Sequence, residues 1–243
     1  MKTIVIDIET IPDIAGHERA GIDPKAGFPP FPLHEIACVS VLTVETHDFG
    51  SLRFRIETLS RADNSERGII CELEQIVAGA NEVVTYNGRG FDVPVLLARA
   101  ALAEECTPYI ARLHSRAHAG FHADLLDQVT AFGAAPRLKL AHLCAAFDIP
   151  VKIDTDGSEV ATLASRGEWS RITRYCETDV VATWLVAQLW TGTQIPGYGR
   201  ERWEALSAWI LCEQPRLAHL VPYAAVPTYP RGGQPLGHFF PNL

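Results

Sequence analysis

TIVIDIET, residues 3–10, is an apolar and β-branched run that ends in acidic residues. Such a run predicts a buried β-strand whose carboxyl end carries a function. Residues two apart on a strand point to the same face, so Asp7 and Glu9 present their carboxylates side by side. Two like charges on one face of a buried strand are costly unless a cation lies between them. The alternative is that both are ordinary acids at the end of a strand.

The segments around this strand predict an α/β fold. Residues 35–45 and 52–59 have strand character, and the short turn between them is typical of an antiparallel hairpin. The further predicted elements are a helix at 65–80 capped by Ser65 or Asn64, a strand from Glu82 to Tyr86, a helix from about Pro94 to Cys106, two or three helices within 122–166, and an apolar helix at 169–192. This order predicts a ribonuclease H-like layout, in which a mixed central sheet has helices on both faces.

Two stretches fall outside this regular pattern. Prolines interrupt residues 11–34, so a long and partly rigid loop over the edge of the sheet is expected there. Beyond residue 192 a tryptophan-containing helical stretch precedes a tail rich in proline and glycine. The predicted organisation is therefore a ribonuclease H-like domain at 1–192 and a C-terminal extension at 193–243, whose last residues are loosely held or dock on a partner.

Composition narrows the class of protein. The 243 residues are 47% hydrophobic, which is enough for a large core. There is no basic leader with a cleavage site and no long uncharged apolar stretch, and the six cysteines are scattered without a C-x-x-C pair. The expectation is a cytoplasmic protein with reduced thiols. The nine histidines show no zinc-binding spacing.

The formal net charge of −8 argues against non-specific coating of long duplex nucleic acid, because phosphate binding usually requires a basic surface. It does not exclude a nuclease that holds only the end of a strand. There, metal ions neutralise the phosphate locally, and the carboxylates that bind them add to the negative total. Short or single-stranded substrates are therefore favoured over long duplexes.

A second motif, YNGRGFD at residues 86–92, follows a predicted strand and leads into a helix. Asp92 is thereby expected near the carboxyl end of a strand, where α/β folds carry their sites. A dinucleotide-binding loop is excluded, because the third glycine of that fingerprint would have to stand at Val93. The alternative is a tight turn in which Asn87 and Asp92 act as capping residues.

A third motif, YCETD at residues 175–179, lies within the predicted helix 169–192. Tyr175 and Asp179 are four residues apart and share the apolar face of this helix, which is expected to pack inward. An inward carboxylate is costly without a partner, so the alternative is a Tyr–Asp hydrogen bond in the core. Glu177 falls on a different face and is expected to be solvated.

Weaker candidates lie between the second and third motifs. Asp124 either supports the site from behind its ligands or caps a helix. Residues 152–157, KIDTDG, superficially resemble a calcium loop, but the terminal glutamate at the required offset and the flanking helices are missing, so this interpretation is rejected. Lys152 is instead a candidate contact for a substrate phosphate.

Together, the three motifs resemble those of the DEDD superfamily of 3′→5′ exonucleases, which is named for four acids in three such motifs. The similarity is greatest to the exonuclease domain of family B DNA polymerases, whose second motif also reads aromatic-Asn-x-x-x-Phe-Asp. It covers roughly residues 1–190, without the 11–34 loop. In this superfamily the last motif has a tyrosine four residues before the aspartate or a histidine five before it, so Arg174 and Tyr175 indicate the tyrosine subtype. No polymerase palm or fingers fits in the rest of the chain, so a free-standing nuclease is expected.

The resemblance implies a site for two divalent cations, Mg²⁺ or Mn²⁺. The four ligands that it assigns are Asp7, Glu9, Asp92 and Asp179. In this assignment Asp7 bridges both ions, Glu9 and Asp179 complete one ion site, and Asp92 serves the other mainly through waters. Oxygen ligands of this kind select hard cations.

The resemblance also implies the reaction, which is the release of nucleoside 5′-monophosphates from the 3′ end of single-stranded DNA or RNA. Tyr175 would orient the attacking water, while Thr10 and Asn87 would contact the terminal nucleotide, and Phe91 would pack beneath it or fill the core. The alternatives are a non-catalytic nucleic-acid-binding module and an endonuclease of the ribonuclease H-like group. The spacing of Tyr175 favours the exonuclease, and the choice between DNA and RNA stays open.

Overall fold

The computed structural model describes residues 1–24, 27–118, 120–150 and 159–228. The strands are β1 (Lys2–Pro12), β2 (His34–Thr46), β3 (Leu52–Ser60), β4 (Glu82–Thr85) and β5 (His122–Asp124). The α-helices are α1 (Ile14–Ala20), α2 (Glu66–Ala78), α3 (Asp92–Leu102), α4 (Pro108–His114), α5 (Leu125–Val129), α6 (Leu140–Ala146), α7 (Val160–Ser165), α8 (Trp169–Thr191) and α9 (Tyr198–Cys212). Short 3₁₀ segments lie at Phe31–Leu33, Asp48–Gly50, Arg116–His118 and Ala218–Ala224.

One five-stranded sheet organises the chain, in the order β3-β2-β1-β4-β5. The β1–β2 and β2–β3 pairs are antiparallel, whereas β4 runs parallel to both β1 and β5. In the β1–β2 register Asp7 lies opposite Ser40 and Glu9 opposite Cys38, and the register shifts between Glu9 and Thr10. The predicted mixed sheet is therefore confirmed, with the acidic end of its first strand at the centre.

Helices cover both faces of this sheet. On one face, Ile4, Ile6 and Ile8 of β1 belong to a buried cluster with residues of α2, α3 and α4. On the other face, Val5 belongs to a second cluster with residues of α8 and α9. Because side chains alternate along a strand, Asp7 and Glu9 point to the same side as Val5, toward α8.

Local signals explain several helix boundaries. The predicted Ser65 cap is confirmed, since its hydroxyl accepts a 3.1 Å hydrogen bond from the backbone amide of Gly68 at the start of α2. The predicted helix near Pro94 begins at Asp92 instead, with the proline in its first turn.

The loop expected at 11–34 contains a helix, α1, so the expectation of an irregular stretch is wrong in part. Asp13 caps α1 by accepting a 2.8 Å hydrogen bond from the amide of Gly16, and the helix ends at Gly21, whose φ is 65°. Asp13 also accepts a 3.0 Å hydrogen bond from the Arg99 side chain, which ties this stretch to α3. The prolines lie outside the helix and did not prevent it.

The C-terminal part of the described chain packs onto α8. Trp203, Leu206 and Leu220 are buried in the same cluster as Val180 and Trp184 of α8. The segment 229–243, including the proline- and glycine-rich tail, lies outside the described residues. The division of the chain at 192/193 stays a prediction.

Two further expectations concern the cysteines and membrane-spanning helices. All six cysteines are free thiols, as expected. In the parts of the chain that the structure describes, no helix combines the length and the apolar character that a membrane span requires.

Candidate active site

The carboxyl end of β1 brings Asp7 and Glu9 together beneath α8. Ligand atoms of Asp7, Glu9 and Cys176 all lie within 4.8 Å of one another. Glu9 is only 8% exposed and Asp7 is half-buried. The prediction that the two carboxylates share one face is therefore confirmed.

Cys176 of α8 holds the backbone and the side chain of Asp7. Its thiol lies 3.5 Å from Asp7 Oδ2 and 3.3 Å from the Asp7 carbonyl oxygen, and it donates to these acceptors. The residue is fully buried. Burial, the nearby thiol of Cys38 and the charges of Asp7 and Glu9 raise the pKa of Cys176 well above its usual value, so the thiol keeps its proton and remains a donor.

Asp92 is the first residue of α3, and the charge of Asp7 acts on it. It is 6% exposed. Burial, and then the negative charges of Asp7 and Asp124, raise the pKa of Asp92 well above its usual value, although hydrogen bonding to the backbone at Asp92 and Ile8 opposes this shift. A cation bound between these carboxylates would remove the repulsion.

The loop that carries Asp92 is closed by Asp124. The two carboxylate oxygens of Asp124 accept hydrogen bonds from the backbone amides of Asn87 and Arg89, each at 2.9 Å. Asp124 also caps α5, because it accepts a 3.0 Å hydrogen bond from the amide of Leu126. Both interpretations of Asp124 therefore apply, since one carboxylate caps a helix and holds the loop.

Glycine is required at two positions of this loop. A Cβ atom on Gly88 would overlap the Thr85 side chain, and one on Gly90 would overlap the carboxamide of Asn87. Asn87 itself has a φ of 63°, a conformation that asparagine tolerates better than most residues. Its carboxamide oxygen also accepts a hydrogen bond from Arg137.

Arg89, which the sequence did not single out, fastens the loop to β5. Its guanidinium donates to Asp127 at 2.9 Å and to the carbonyl oxygen of His122 at 2.6 Å. His122 is buried, and burial lowers its pKa to about 4, so the ring is neutral. Its Nδ1 therefore donates to the Leu113 carbonyl oxygen at 2.6 Å, and its Nε2 accepts from the Thr85 hydroxyl at 2.8 Å.

The third motif lies on α8, which packs against β1 and β2. Tyr175 and Asp179 are both half-buried. Cys176, between them, contacts Asp7, and Asp179 follows Cys176 by three residues, so the two are neighbours on the helix surface. Contact through Cys176 thus brings the third motif to the first.

The expectation that Glu177 is solvated is wrong. Its carboxylate accepts a 3.1 Å hydrogen bond from the Thr58 hydroxyl and lies 2.6 Å from Nε2 of His219, and its side chain is only 17% exposed. Both partners are far away in the chain, on β3 and in the 3₁₀ segment Ala218–Ala224. Tertiary packing therefore supplies neighbours that helical periodicity does not show.

Thr10, a predicted substrate contact, contacts one ring of an aromatic cluster. Its hydroxyl lies 2.8 Å from Nδ1 of His34, and Nε2 of His34 lies 3.1 Å from the carbonyl oxygen of Pro29. Burial lowers the pKa of His34. The neutral ring therefore donates from Nε2 and accepts the Thr10 hydroxyl at Nδ1.

The rings of His34, Phe28 and Phe91 form this aromatic cluster. Their centroids are 5.0 Å apart for Phe28 and His34, 5.2 Å for Phe28 and Phe91, and 5.1 Å for His34 and Phe91. Phe28 is 77% exposed, whereas Phe91 is half-buried. No sequence pattern pointed to Phe28 or His34, because both belong to a proline-rich stretch without periodicity.

The donor set fits a divalent metal ion. Carboxylate oxygens are the ligands that Mg²⁺ and Mn²⁺ prefer, and buried acids this close together are costly without a cation. Asp7 and Glu9 meet this description, the charge of Asp7 acts on buried Asp92, and Asp179 follows Cys176 by three residues on α8. Lys152 and the rejected calcium loop at 152–157 lie outside the described residues.

Comparison with solved structures supports the class of fold. The chain is similar to the family B DNA polymerase from the hyperthermophilic archaeon Pyrobaculum calidifontis, with a TM-score of 0.53 and 18% sequence identity. The similarity covers 89% of this chain but only 29% of the polymerase chain. At this identity the likeness concerns the fold alone, and it confirms the predicted ribonuclease H-like arrangement.

Comparison with family models places the chain in a family. Residues 26–194 match the model described as a predicted 3′-5′ exonuclease related to the exonuclease domain of PolB. The match covers more than half of the chain, which therefore belongs to this family of predicted nucleases. It includes Asp92, Tyr175 and Asp179 and begins after Asp7 and Glu9. No curated protein matches the chain significantly.

Proposed function

We propose that this protein is a metal-dependent 3′→5′ exonuclease that releases nucleoside 5′-monophosphates from single-stranded DNA or RNA. The observation that carries this proposal is the close pair of carboxylates Asp7 and Glu9 at the centre of the sheet, together with Asp92, whose pKa is raised by burial and by the charge of Asp7. The first two belong to one strand and the third to a separate loop, so the fold has assembled them from different parts of the chain. Asp179 on α8 completes the set.

Four residues would hold two Mg²⁺ or Mn²⁺ ions in this proposal. Asp7 is suited to bridge them, because it is next to Glu9 on one side and its charge acts on Asp92 on the other. Glu9 and Asp179 would complete one ion site, and Asp92 would serve the second. When bound, the ions would lower the pKa of the attacking water and stabilise negative charge on the phosphate and the departing oxygen.

Tyr175 is assigned to the positioning of the attacking water. Its place four residues before Asp179, one helical turn away, supports the tyrosine subtype of the exonuclease family. A phenol hydroxyl can both donate and accept a hydrogen bond, so it can orient a water molecule without removing a proton from it.

The proposed contacts with the terminal nucleotide are close to the acids in the chain. Thr10 follows Glu9 across the register shift of β1, and Asn87 belongs to the loop before Asp92. Phe91, together with Phe28, offers aromatic surface on which an unpaired base can stack. Stacking does not depend on the 2′-hydroxyl, so both DNA and RNA ends are included in the proposal.

A gel assay with 5′-labelled single-stranded DNA and RNA tests the proposal. With Mn²⁺ or Mg²⁺ the expected result is stepwise shortening from the 3′ end, which EDTA and Asp179→Ala both abolish. Glu204→Ala is the matched control, because Glu204 is exposed and pairs with Arg200 in the neighbouring helix turn. This variant should retain the activity of the wild type.

Other outcomes of the same assay favour the alternatives. Internal cuts without 3′ shortening would indicate an endonuclease of the ribonuclease H-like group. Binding of the oligonucleotide without any cleavage, in either metal, would indicate a non-catalytic nucleic-acid-binding module. Shortening that survives Asp179→Ala would contradict the assigned site.

A further inference from the structure

The residues between 198 and 224 lie beyond the family match, which ends at 194. Nevertheless, they contact the part of α8 that carries the third motif. The contacts come from the 3₁₀ segment Ala218–Ala224 and fall on Glu177 and Thr178, two of the three residues that separate Tyr175 from Asp179. A segment outside the matched residues therefore contacts the third motif of this chain.

The first contact is a polar row that crosses the sheet. Nε2 of His219 lies 2.6 Å from Glu177 Oε2, while Glu177 Oε1 accepts a 3.1 Å hydrogen bond from Thr58, whose hydroxyl lies 2.7 Å from that of Ser40. Ser40 is the β2 residue opposite Asp7. One carboxylate oxygen of Glu177 is thus bonded to the sheet through Thr58, and the other lies in close polar contact with His219.

The second contact acts on the backbone of the motif. Burial raises the pKa of Tyr223 to about 12, so its phenol is protonated, and the neighbouring Thr178 side chain opposes this shift. The Thr178 hydroxyl in turn donates to the Tyr175 carbonyl oxygen at 2.7 Å. Tyr223 therefore contacts the motif at Thr178, whereas His219 contacts it at Glu177, one residue earlier.

The segment that carries these two residues is itself anchored. The indole of Trp203 donates to the Tyr223 carbonyl oxygen at 2.7 Å, and the Ser207 hydroxyl donates to the Ala224 carbonyl oxygen at 2.7 Å. Leu217 and Leu220 are buried on either side of His219. A segment tied to α9 in this way can hold α8 in one rotation about its axis.

We propose that His219 and Tyr223 are positioning residues for Tyr175 and Asp179. They hold α8 at the rotation and height at which Asp179 reaches the metal site and Tyr175 reaches the attacking water. Catalytic groups must be held within about 0.5 Å of their working geometry, so loss of this support should reduce turnover before it reduces substrate binding. This inference rests on the proposed function.

The test compares three variants at two positions with a matched control. His219→Leu removes the polar contact with Glu177 Oε2, His219→Gln keeps a side-chain N–H group at this position, and Tyr223→Phe removes only the hydroxyl. Glu213→Ala is the control, because it breaks an exposed pair with Arg216 in the same C-terminal region. His219→Leu should lower kcat about 10- to 100-fold with little change in KM, as loss of an outer support of a metal ligand does. His219→Gln should recover most of this loss.

A second readout does not need activity. Mn²⁺ affinity, measured by isothermal titration calorimetry, should fall about 10-fold in His219→Leu. It should stay near the wild-type value in His219→Gln and Glu213→Ala. Amide hydrogen exchange within residues 175–179 should become faster in His219→Leu and in Tyr223→Phe.

The outcomes separate this inference from the proposed function. His219→Leu and Tyr223→Phe could lower the melting temperature but leave kcat, Mn²⁺ affinity and amide exchange of 175–179 unchanged. In that case His219 and Tyr223 are only structural, and the inference is overturned. If the wild type shows no exonuclease activity, the proposed function fails, and Mn²⁺ affinity and exchange still decide the coupling. Should His219→Leu not fold, Tyr223→Phe, which removes a single oxygen atom, decides the question.

Discussion

The two faces of β1 differ in what they bury. One face packs Ile4, Ile6 and Ile8 against α2 and α3. The other carries Val5, and after it Asp7 and Glu9 under α8. Burial of the first face lowers the free energy of the folded state. Burial of the second face raises it, because carboxylates are held close together there.

This difference shows how a single strand can serve stability and chemistry together. Alternation separates the two roles by one residue, so a change on one face should leave the role of the other intact. The row of Asp7, Ser40 and Thr58 extends the polar side across three strands of the sheet. Four predictions, from the largest expected effect to the smallest, test how cleanly the two faces are separated.

Asp7→Asn should have the largest effect on activity. The residue lies next to Glu9 and acts on Asp92, so its loss should disable both proposed ion sites and lower kcat on the order of 10³-fold or more. Single-turnover cleavage of a labelled oligonucleotide measures the effect. Glu45→Gln is the control, because Glu45 lies at the far end of the same strand pair, opposite Lys2. Equal losses in the two variants would contradict the assignment of Asp7.

Ile6→Ala should have the largest effect on stability. Ile6 is buried against the α2 and α3 side, so truncation should lower the free energy of unfolding by about 2–5 kcal/mol. Urea denaturation measures this change, and kcat per folded molecule should stay close to that of the wild type. Ile14→Ala, at an exposed position, should change stability by about 0.5 kcal/mol or less. A loss of kcat in folded Ile6→Ala would show that the two faces are coupled.

Asp92→Asn should reduce cleavage, by less than Asp7→Asn does, and yet stabilise the protein in EDTA. Burial raises the pKa of Asp92 above its usual 3.8, so the folded state binds this proton more tightly than the unfolded chain does. Its contribution to stability therefore falls as the pH rises above 3.8 toward the raised pKa, and removal of the charge should return about 1–3 kcal/mol at neutral pH.

Thermal unfolding as a function of pH measures this effect. In EDTA the wild type should lose more stability with rising pH than Asp92→Asn does. Mn²⁺ should stabilise the wild type more than the variant, since it neutralises the same repulsion. A variant less stable than the wild type in EDTA would contradict the account of Asp92 as a strained carboxylate.

Phe28→Ala should have the smallest effect, and only on substrate binding. Loss of one base-stacking ring should raise KM for single-stranded oligonucleotides about 5- to 150-fold. Phe31→Ala is the control, because Phe31 is also exposed and lies near Phe28 in the chain, but it is outside the three-ring cluster. A 2-aminopurine at the 3′ end should be quenched on binding to the wild type and not to Phe28→Ala. Equal behaviour of the two variants would exclude a specific role for Phe28.

Much of this fold and part of the site follow from local patterns in the sequence. Alternation in residues 3–10 predicts that Asp7 and Glu9 share a face, and the Ser65 cap predicts where α2 begins. The glycines of the 86–92 loop indicate its tight turn. These features depend on neighbours a few residues apart, which is why periodicity and capping chemistry predict them.

Contacts between distant parts of the chain could not be predicted in this way. Cys176 contacts Asp7 across 169 residues, and Thr58 reaches Glu177 across 119. No periodic pattern records such separations, because they arise when whole helices and strands pack. The prediction that Glu177 is solvated was wrong for this reason. The prediction of an irregular 11–34 stretch was wrong in part, and that stretch too acquired a partner from elsewhere in the fold.

The amino-acid sequence alone thus specified the acids Asp7 and Glu9, the strand that presents them, and the order of the first four strands with α2, α3 and α8. It did so because side-chain alternation and helix capping are local. Packing of separate elements settled how closely Asp92 approaches Asp7, which ring lies beside Phe91, and what holds Glu177. Those features depend on the burial of charges and rings between elements, whose free energy is defined only once the elements have met.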